Sequence, residues 1–271
     1  MTERVRRFRP VFKDVSVPIM QRKECEAGHY DFLPGIPAFS CGVRAHEGFE
    51  IVRAVFANLV PWQEGCDLLG RHLASAGLEP PALCSVELRC SRPYSARGFD
   101  AFNETYIGRL LSMGVFRKDE INPVGRTNVS PVAHAPDEQS MYAFSYTRPA
   151  TADAKPSFVI AGGGEVRGGS IDPDAIVRYG DVSEAGVLEK AAFMLDVMEK
   201  RLEGLALTWD DVRTVNVYTK HEFDESVSKL VDKRVGIGSL HGIHRYRTAP
   251  PVEHIEFEMD VKGPVWELAL A

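Results

Sequence analysis

Asn103, Tyr106 and Arg126 are the residues of this 271-residue chain whose types and spacing best suit chemistry. The segment F-N-E-T-Y (102–106) sets Asn103 and Tyr106 three apart, so a helix carries both on one face. The segment N-P-V-G-R-T-N (122–128) then supplies a single arginine, followed by Thr127 and Asn128. A guanidinium is planar, permanently charged and bidentate, so an arginine held in such a run is a ready fork for a carboxylate. The plain alternative is an exposed loop arginine.

The C-terminal part offers further candidates. His241 and His244 lie three apart and His254 follows on the next expected strand. Three apart on a strand puts the first two on opposite faces, which argues against a metal site; either could act as an acid or base. Arg245 and Arg247 share one strand face and suit a second carboxylate, or form an exposed basic edge. Cys41 has no adjacent base and reads as core. Gly162-Gly163-Gly164 lacks the Lys-[ST] of a phosphate loop and reads as a turn.

Composition bounds what these residues can serve. Hydrophobic residues make up 44% and charged residues 26%, an ordinary globular profile. The net charge of −6 disfavours a nucleic-acid partner, which needs a basic face. No apolar run reaches the roughly 18 residues that span a bilayer. The basic start M-T-E-R-V-R-R-F-R-P has no apolar stretch behind it and does not read as a secretory signal. Five scattered cysteines without a C-x-x-C pair suggest reduced, structural thiols and a cytoplasmic protein.

Two parts of the chain carry the same order of elements. In the first, 37–44 is expected as a strand, Trp62–Ala76 as a helix with Cys66, Leu69 and Leu73 on one face, and 83–91 as a half-buried strand. A second helix is expected over 99–113, then strands near 126–132 and 141–148. In the second, a strand at 157–163 precedes a helix capped by Ser183 that runs to about Glu203. Its buried stripe is Val187, Ala191, Met194, Leu195 and Met198. A strand at 211–219, a helix at 222–233 and strands near 240–248 and 253–261 follow. The small, Pro-bearing segment 148–156 reads as a linker. It divides domains 1–150, with an N-terminal extension 1–35, and 151–271. A sheet with helices on one face needs cover for the other, so an oligomer is expected.

This order, with the local motifs, resembles the RidA/YjgF family of reactive-intermediate deaminases, twice in tandem over 37–148 and 157–261. F99-D-A-F-N-E-T-Y106 is similar to the family's F-x-x-x-N-x-x-Y helix, and P123-V-G-R-T127, with one extra residue, to its P-x-R-[ST] segment. V252-E-H-I-E-F-E258 is similar to the family's last strand and puts its acidic position on Glu256 or Glu258. The resemblance implies an α+β fold: two tandem trimeric chorismate-mutase-like domains, each a mixed β-sheet with two helices on one face. It also implies a homotrimer, Arg126 as the substrate-binding arginine and no cofactor. Neither half carries the whole motif. Met141 or Tyr142 stands where the first half's glutamate belongs. Val227 and His241, Gly242 or His244 stand where the second half's asparagine and arginine belong.

Members of that family hydrolyse imines or enamines of amino acids to keto acids and ammonia. The resemblance therefore implies a small carboxylate-bearing substrate, similar to 2-aminoacrylate or 2-aminomuconate. A composite site is expected, with Arg126 and Glu256 catalytic and Asn103, Tyr106, Thr127, Asn128, His241, His244 and Arg245 binding substrate. Burial of Glu256 beside Ile255 and Phe257 is expected to raise its pKa; the alternative is a solvent-facing residue of an alternating strand. Other readings stay open: a carboxylate-binding scaffold, a lyase or hydrolase resembling the chorismatases, which look like two fused domains of this fold, and a ribonuclease.

Overall fold

The computed structural model describes residues 20–151, 156–222 and 225–270. The basic start, positions 152–155 of the expected linker and 223–224 of the expected helix at 222–233 lie outside the described residues.

Four α-helices among the described residues follow the apolar periodicity: α1 Trp62–Ser75, α2 Ala96–Ser112, α3 Glu184–Gly204 and α4 Glu225–Val235. Cys66, Leu69 and Leu73 are the buried stripe of α1. Ser95 and Ser183 cap α2 and α3, each accepting a backbone N–H three residues on. Val187, Ala191, Met194, Leu195 and Met198 are buried along α3.

The strands among the described residues form one mixed 12-stranded sheet. In chain order they are β1 Lys23–Cys25, β2 Tyr30–Leu33, β3 Gly42–Ala45, β4 Phe49–Pro61, β5 Leu83–Arg89, β6 Gly125–Pro131 and β7 Ser140–Pro149. Then come β8 Phe158–Gly164, β9 Thr214–Thr219, β10 Ile243–Ala249, β11 Glu258–Lys262 and β12 Trp266–Leu270. Their order across the sheet is β1-β2-β3-β8-β11-β9-β10-β6-β5-β7-β4-β12. The runs β4-α1-β5-α2-β6-β7 and β8-α3-β9-α4-β10-β11 are wired alike. In each, the last strand lies antiparallel between the first and second, and the second and third are parallel. The runs join where β10 meets β6.

Neighbouring strands stand about 4.8 Å apart, so a flat sheet would keep β6 and β11 well out of contact across β9 and β10. Instead Thr127 donates to Asp260 at 3.0 Å, and the Gly162 N–H donates to Thr127 Oγ1 at 3.0 Å. The sheet therefore curls until the two runs face each other, each with an apolar core beneath its own helices. The seam between them is polar. Arg53 grips Glu87 at 2.6 and 2.7 Å, and Lys262, Asn216 and Tyr218 each donate to Asp260 at 2.8 Å. Burial opposes the Glu87 charge, but Lys262 and Arg53 outweigh it and hold the carboxyl well below its usual range.

Several expectations need correction. The first strand, expected at 37–44, begins at Gly42, because the residues before it fold into a turn closed by an Ile36–Phe39 bridge. The long β4 was not anticipated, nor were β1, β2 and β12. Strand β5 is buried along its whole length rather than half-buried, because helices cover one face and the opposing run approaches the other. The cover expected from other chains thus comes in part from this one. Strands also cross the expected boundary near 150, β3 pairing with β8 and β12 with β4. The last expected strand, 253–261, starts only at Glu258 and leaves Glu256 outside the ladder. No helix among the described residues is long and apolar enough to cross a membrane.

Candidate active site

Helix α2 and strand β6 build an aromatic cage around one guanidinium. Phe99, Phe102, Asn103 and Tyr106 recur at helical spacing and point at the sheet, where β6 presents Arg126. The Arg126 guanidinium carbon lies 4.8 Å from the Tyr106 ring centroid and 5.4 Å from those of Phe99 and Phe102. Phe39, from the turn before β3, closes the cage at 4.5 Å. Asn103 Oδ1 accepts from Arg126 Nη2 at 2.7 Å. Tyr94 stacks on Phe102 and donates to Gln139, which is itself hydrogen-bonded to Asn128.

Arg126 is 2% exposed, and this burial pulls its pKa down to about 10, so it stays charged at neutral pH. Its Nη1 has no hydrogen-bond partner, and neither does the buried hydroxyl of Tyr106. Native proteins rarely bury a charged donor and a hydroxyl unsatisfied at one place. A carboxylate accepting from both would satisfy both.

The second run brings a carboxyl up to β6 beside this arginine's neighbour. An added Cβ at Gly162 would stand 2.3 Å from Glu258 Oε1 and 3.0 Å from Thr127 Cα, so the Glu258 carboxyl and the residue after Arg126 both border Gly162. Burial, then the Asp260 charge, push the Glu258 pKa well above the usual carboxylate range, while Arg201 and Arg126 pull it down only in part. Burial thus favours the acid form of a carboxyl that also feels the Arg126 charge, within a single chain. Gly162→Ala is expected to displace this carboxyl, lowering activity at least tenfold and stability by about 1–3 kcal/mol; turnover and thermal unfolding check it.

Of the residues expected at the site, Arg126, Asn103 and Tyr106 come together. Thr127 and Asn128 are buried nearby but serve the seam and the Tyr94–Gln139 chain. Glu256 does not have the raised pKa expected of it. Its burial works to raise the pKa, but hydrogen bonds from His221 at 2.7 Å and Lys220 at 3.0 Å outweigh it, so the pKa is lowered. Glu258 holds the raised carboxyl instead. His241, His244 and Arg245 lie just before and at the start of β10. His241 ends a 3-10 turn, His244 meets Asn216 at 3.1 Å, and Arg245 lies on the exposed part of β10. A recess of about 610 Å³ on the outer side of α1 and α2 is separate from Arg126. Phe39 carried no local signal, because only the fold brings its turn to the cage.

The family model of the 2-aminomuconate deaminase CnbZ matches residues 22–268. The chain belongs to this family. It is 41% identical over 246 residues to the 2-amino-5-chloromuconate deaminase of Comamonas testosteroni, covering 90% of this chain and 96% of that protein. Among solved structures, a chorismatase aligns over 94% of this chain and 96% of its own, with 12% identity and a TM-score of 0.51. At that identity the likeness is one of fold. The Escherichia coli YjgF gene product aligns with 49% of this chain at 16% identity and a TM-score of 0.25. Family membership makes an aminomuconate-type deaminase the activity to weigh against the Arg126 cage.

Proposed function

We propose that the chain hydrolyses the enamine or imine of a small unsaturated amino acid of the 2-aminomuconate type, giving the keto acid and ammonia. The observation that carries this reading is a pair of buried donors without hydrogen-bond partners, Arg126 Nη1 and the Tyr106 hydroxyl, on two side chains whose guanidinium carbon and ring centroid lie 4.8 Å apart. The carboxylate next to the amino carbon accepts from both. Asn103 keeps the guanidinium from turning away, and the aromatic rings exclude water, which strengthens the charge-assisted bonds.

Glu258 then moves the protons. Its acid form donates to the enamine carbon, and the nitrogen lone pair forms the C=N bond of an iminium. The resulting carboxylate takes a proton from water as the water oxygen attacks the iminium carbon. The same proton passes to the nitrogen, the C–N bond breaks as the carbonyl forms, and the carboxyl recovers the hydroxyl proton. Enamine and water become ketone and ammonia, with Glu258 protonated again. We also read the two like-wired runs as diverged copies of one unit that now share one site. The test is release of ammonia and keto acid, one for one, from freshly generated 2-aminomuconate. Binding of that substrate with no release would leave only a carboxylate-binding protein.

Tyr106→Phe separates binding from folding. Removing an unsatisfied buried hydroxyl is expected to leave the empty protein as stable or up to about 1 kcal/mol more so, while raising KM roughly fivefold. Thermal unfolding and steady-state kinetics check the two arms. Loss of stability without a change in KM would show that the hydroxyl serves the fold alone.

A further inference from the structure

The ion pair between Lys190 and Glu165 lies wholly inside the protein and does not belong to the cage. Lys190, on α3, donates from Nζ to Glu165 Oε1 at 2.9 Å and to the Val177 carbonyl at 2.7 Å. Both side chains are 0% exposed. A buried pair is weak ground for stability, since desolvation can cancel its attraction, so its placement is what calls for explanation. The Glu165 carboxylate accepts the N–H of Glu256 at 2.8 Å and that of Phe257 at 3.0 Å. Glu165 follows the Gly162–Gly164 end of β8, and the amides it holds belong to the two residues before Glu258. One buried carboxylate thus ties the α3 lysine to the backbone that launches the proposed acid.

We infer that Glu165 and Lys190 are positioning residues for Glu258. They hold residues 256–257 at the end of β8, so that β11 begins with the Glu258 carboxyl against Gly162, which Thr127 also borders. This inference rests on the reading of Glu258 as the proton-transfer group. The pair also sets the local field. The charged or titratable groups facing Glu258 are Asp260 on its own strand, Arg126 on β6, Arg201 on α3, Glu165 after β8, and Cys90 after β5. Only Glu165 among them carries a dedicated buried counter-charge on a neighbouring helix. Removing either partner therefore changes the charge felt at Glu258 in opposite directions.

The experiment is the pH profile of kcat for ammonia release from 2-aminomuconate, measured for the wild type, Glu165→Gln, Lys190→Met and Glu258→Gln. Glu165→Gln removes a negative charge and is expected to move the alkaline limb to lower pH by at least half a unit. Lys190→Met leaves Glu165 uncompensated and is expected to move the limb to higher pH. Both lower kcat about tenfold or more as the 256–257 backbone loosens. A pair that only braced the fold would lower the melting temperature and leave the limb in place, and that result overturns the inference. If Lys190→Met does not fold, Glu165→Gln decides alone, because the amide is isosteric and its limb shift has a required sign. Glu258→Gln keeps the two readings apart. If it retains rate and limb, the role of Glu258 fails; if it loses both while the other variants hold the wild-type limb, the positioning role fails.

Discussion

Replacing Arg126 with alanine is expected to lower kcat/KM for ammonia release by about 10²- to 10³-fold, chiefly through KM. Truncating one partner of a buried charged contact costs about 2–5 kcal/mol, and each 1.4 kcal/mol is a factor of ten. A lysine at the same position is not expected to restore activity. An ammonium is a point charge and cannot bond Asn103 and a carboxylate in one plane. The folded state should tolerate the loss better than the reaction does. The guanidinium is desolvated far enough to pull its pKa down to about 10, and one nitrogen has no hydrogen-bond partner. An unchanged KM with a lowered kcat would instead place this residue at the reacting atoms.

The second large effect is expected at Glu258. Glu258→Gln should lower kcat about 10²- to 10⁴-fold with little change in KM, the range of a lost general acid–base. Glu256→Gln should stay within a few-fold of the wild type, because Lys220 and His221 already occupy that carboxylate. The wild-type kcat should fall as pH rises through the raised pKa of Glu258, since the first step needs its proton, and the glutamine variant should lose that limb. Stability carries the same sign. Between the ordinary glutamate pKa near 4.3 and the raised value, the folded chain holds a proton that the unfolded chain has released. Stability therefore falls with rising pH across that window, and Glu258→Gln should flatten the dependence.

The helices and the cage were the most legible parts of the sequence. Ser183 and Gly204 bracket α3, and the Phe99–Tyr106 spacing announces a face that has to meet something, because helical periodicity is a local property. What could not be read was set by contacts distant in sequence. Strand β12 exists because an edge of β4, some two hundred residues earlier, accepts it. Strand β5 reads as alternating, yet it is buried throughout because the opposing run folds back over it. Glu256 and Glu258 differ in a way that alternation does not show. The ladder begins at Glu258, and the Glu165 carboxylate bonds the amides just before it. Alternation places both glutamates on one face, but it says nothing about where pairing starts.

The most direct measurement is a crystal structure with cis,cis-muconate, a dicarboxylate that lacks the amino group and cannot be deaminated. One carboxylate is expected within hydrogen-bond distance of Arg126 Nη1 and the Tyr106 hydroxyl, with the adjacent carbon facing Glu258. Muconate seated elsewhere, on the exposed arginines of β10 for instance, with the Arg126 cage left as it stands, would contradict this assignment.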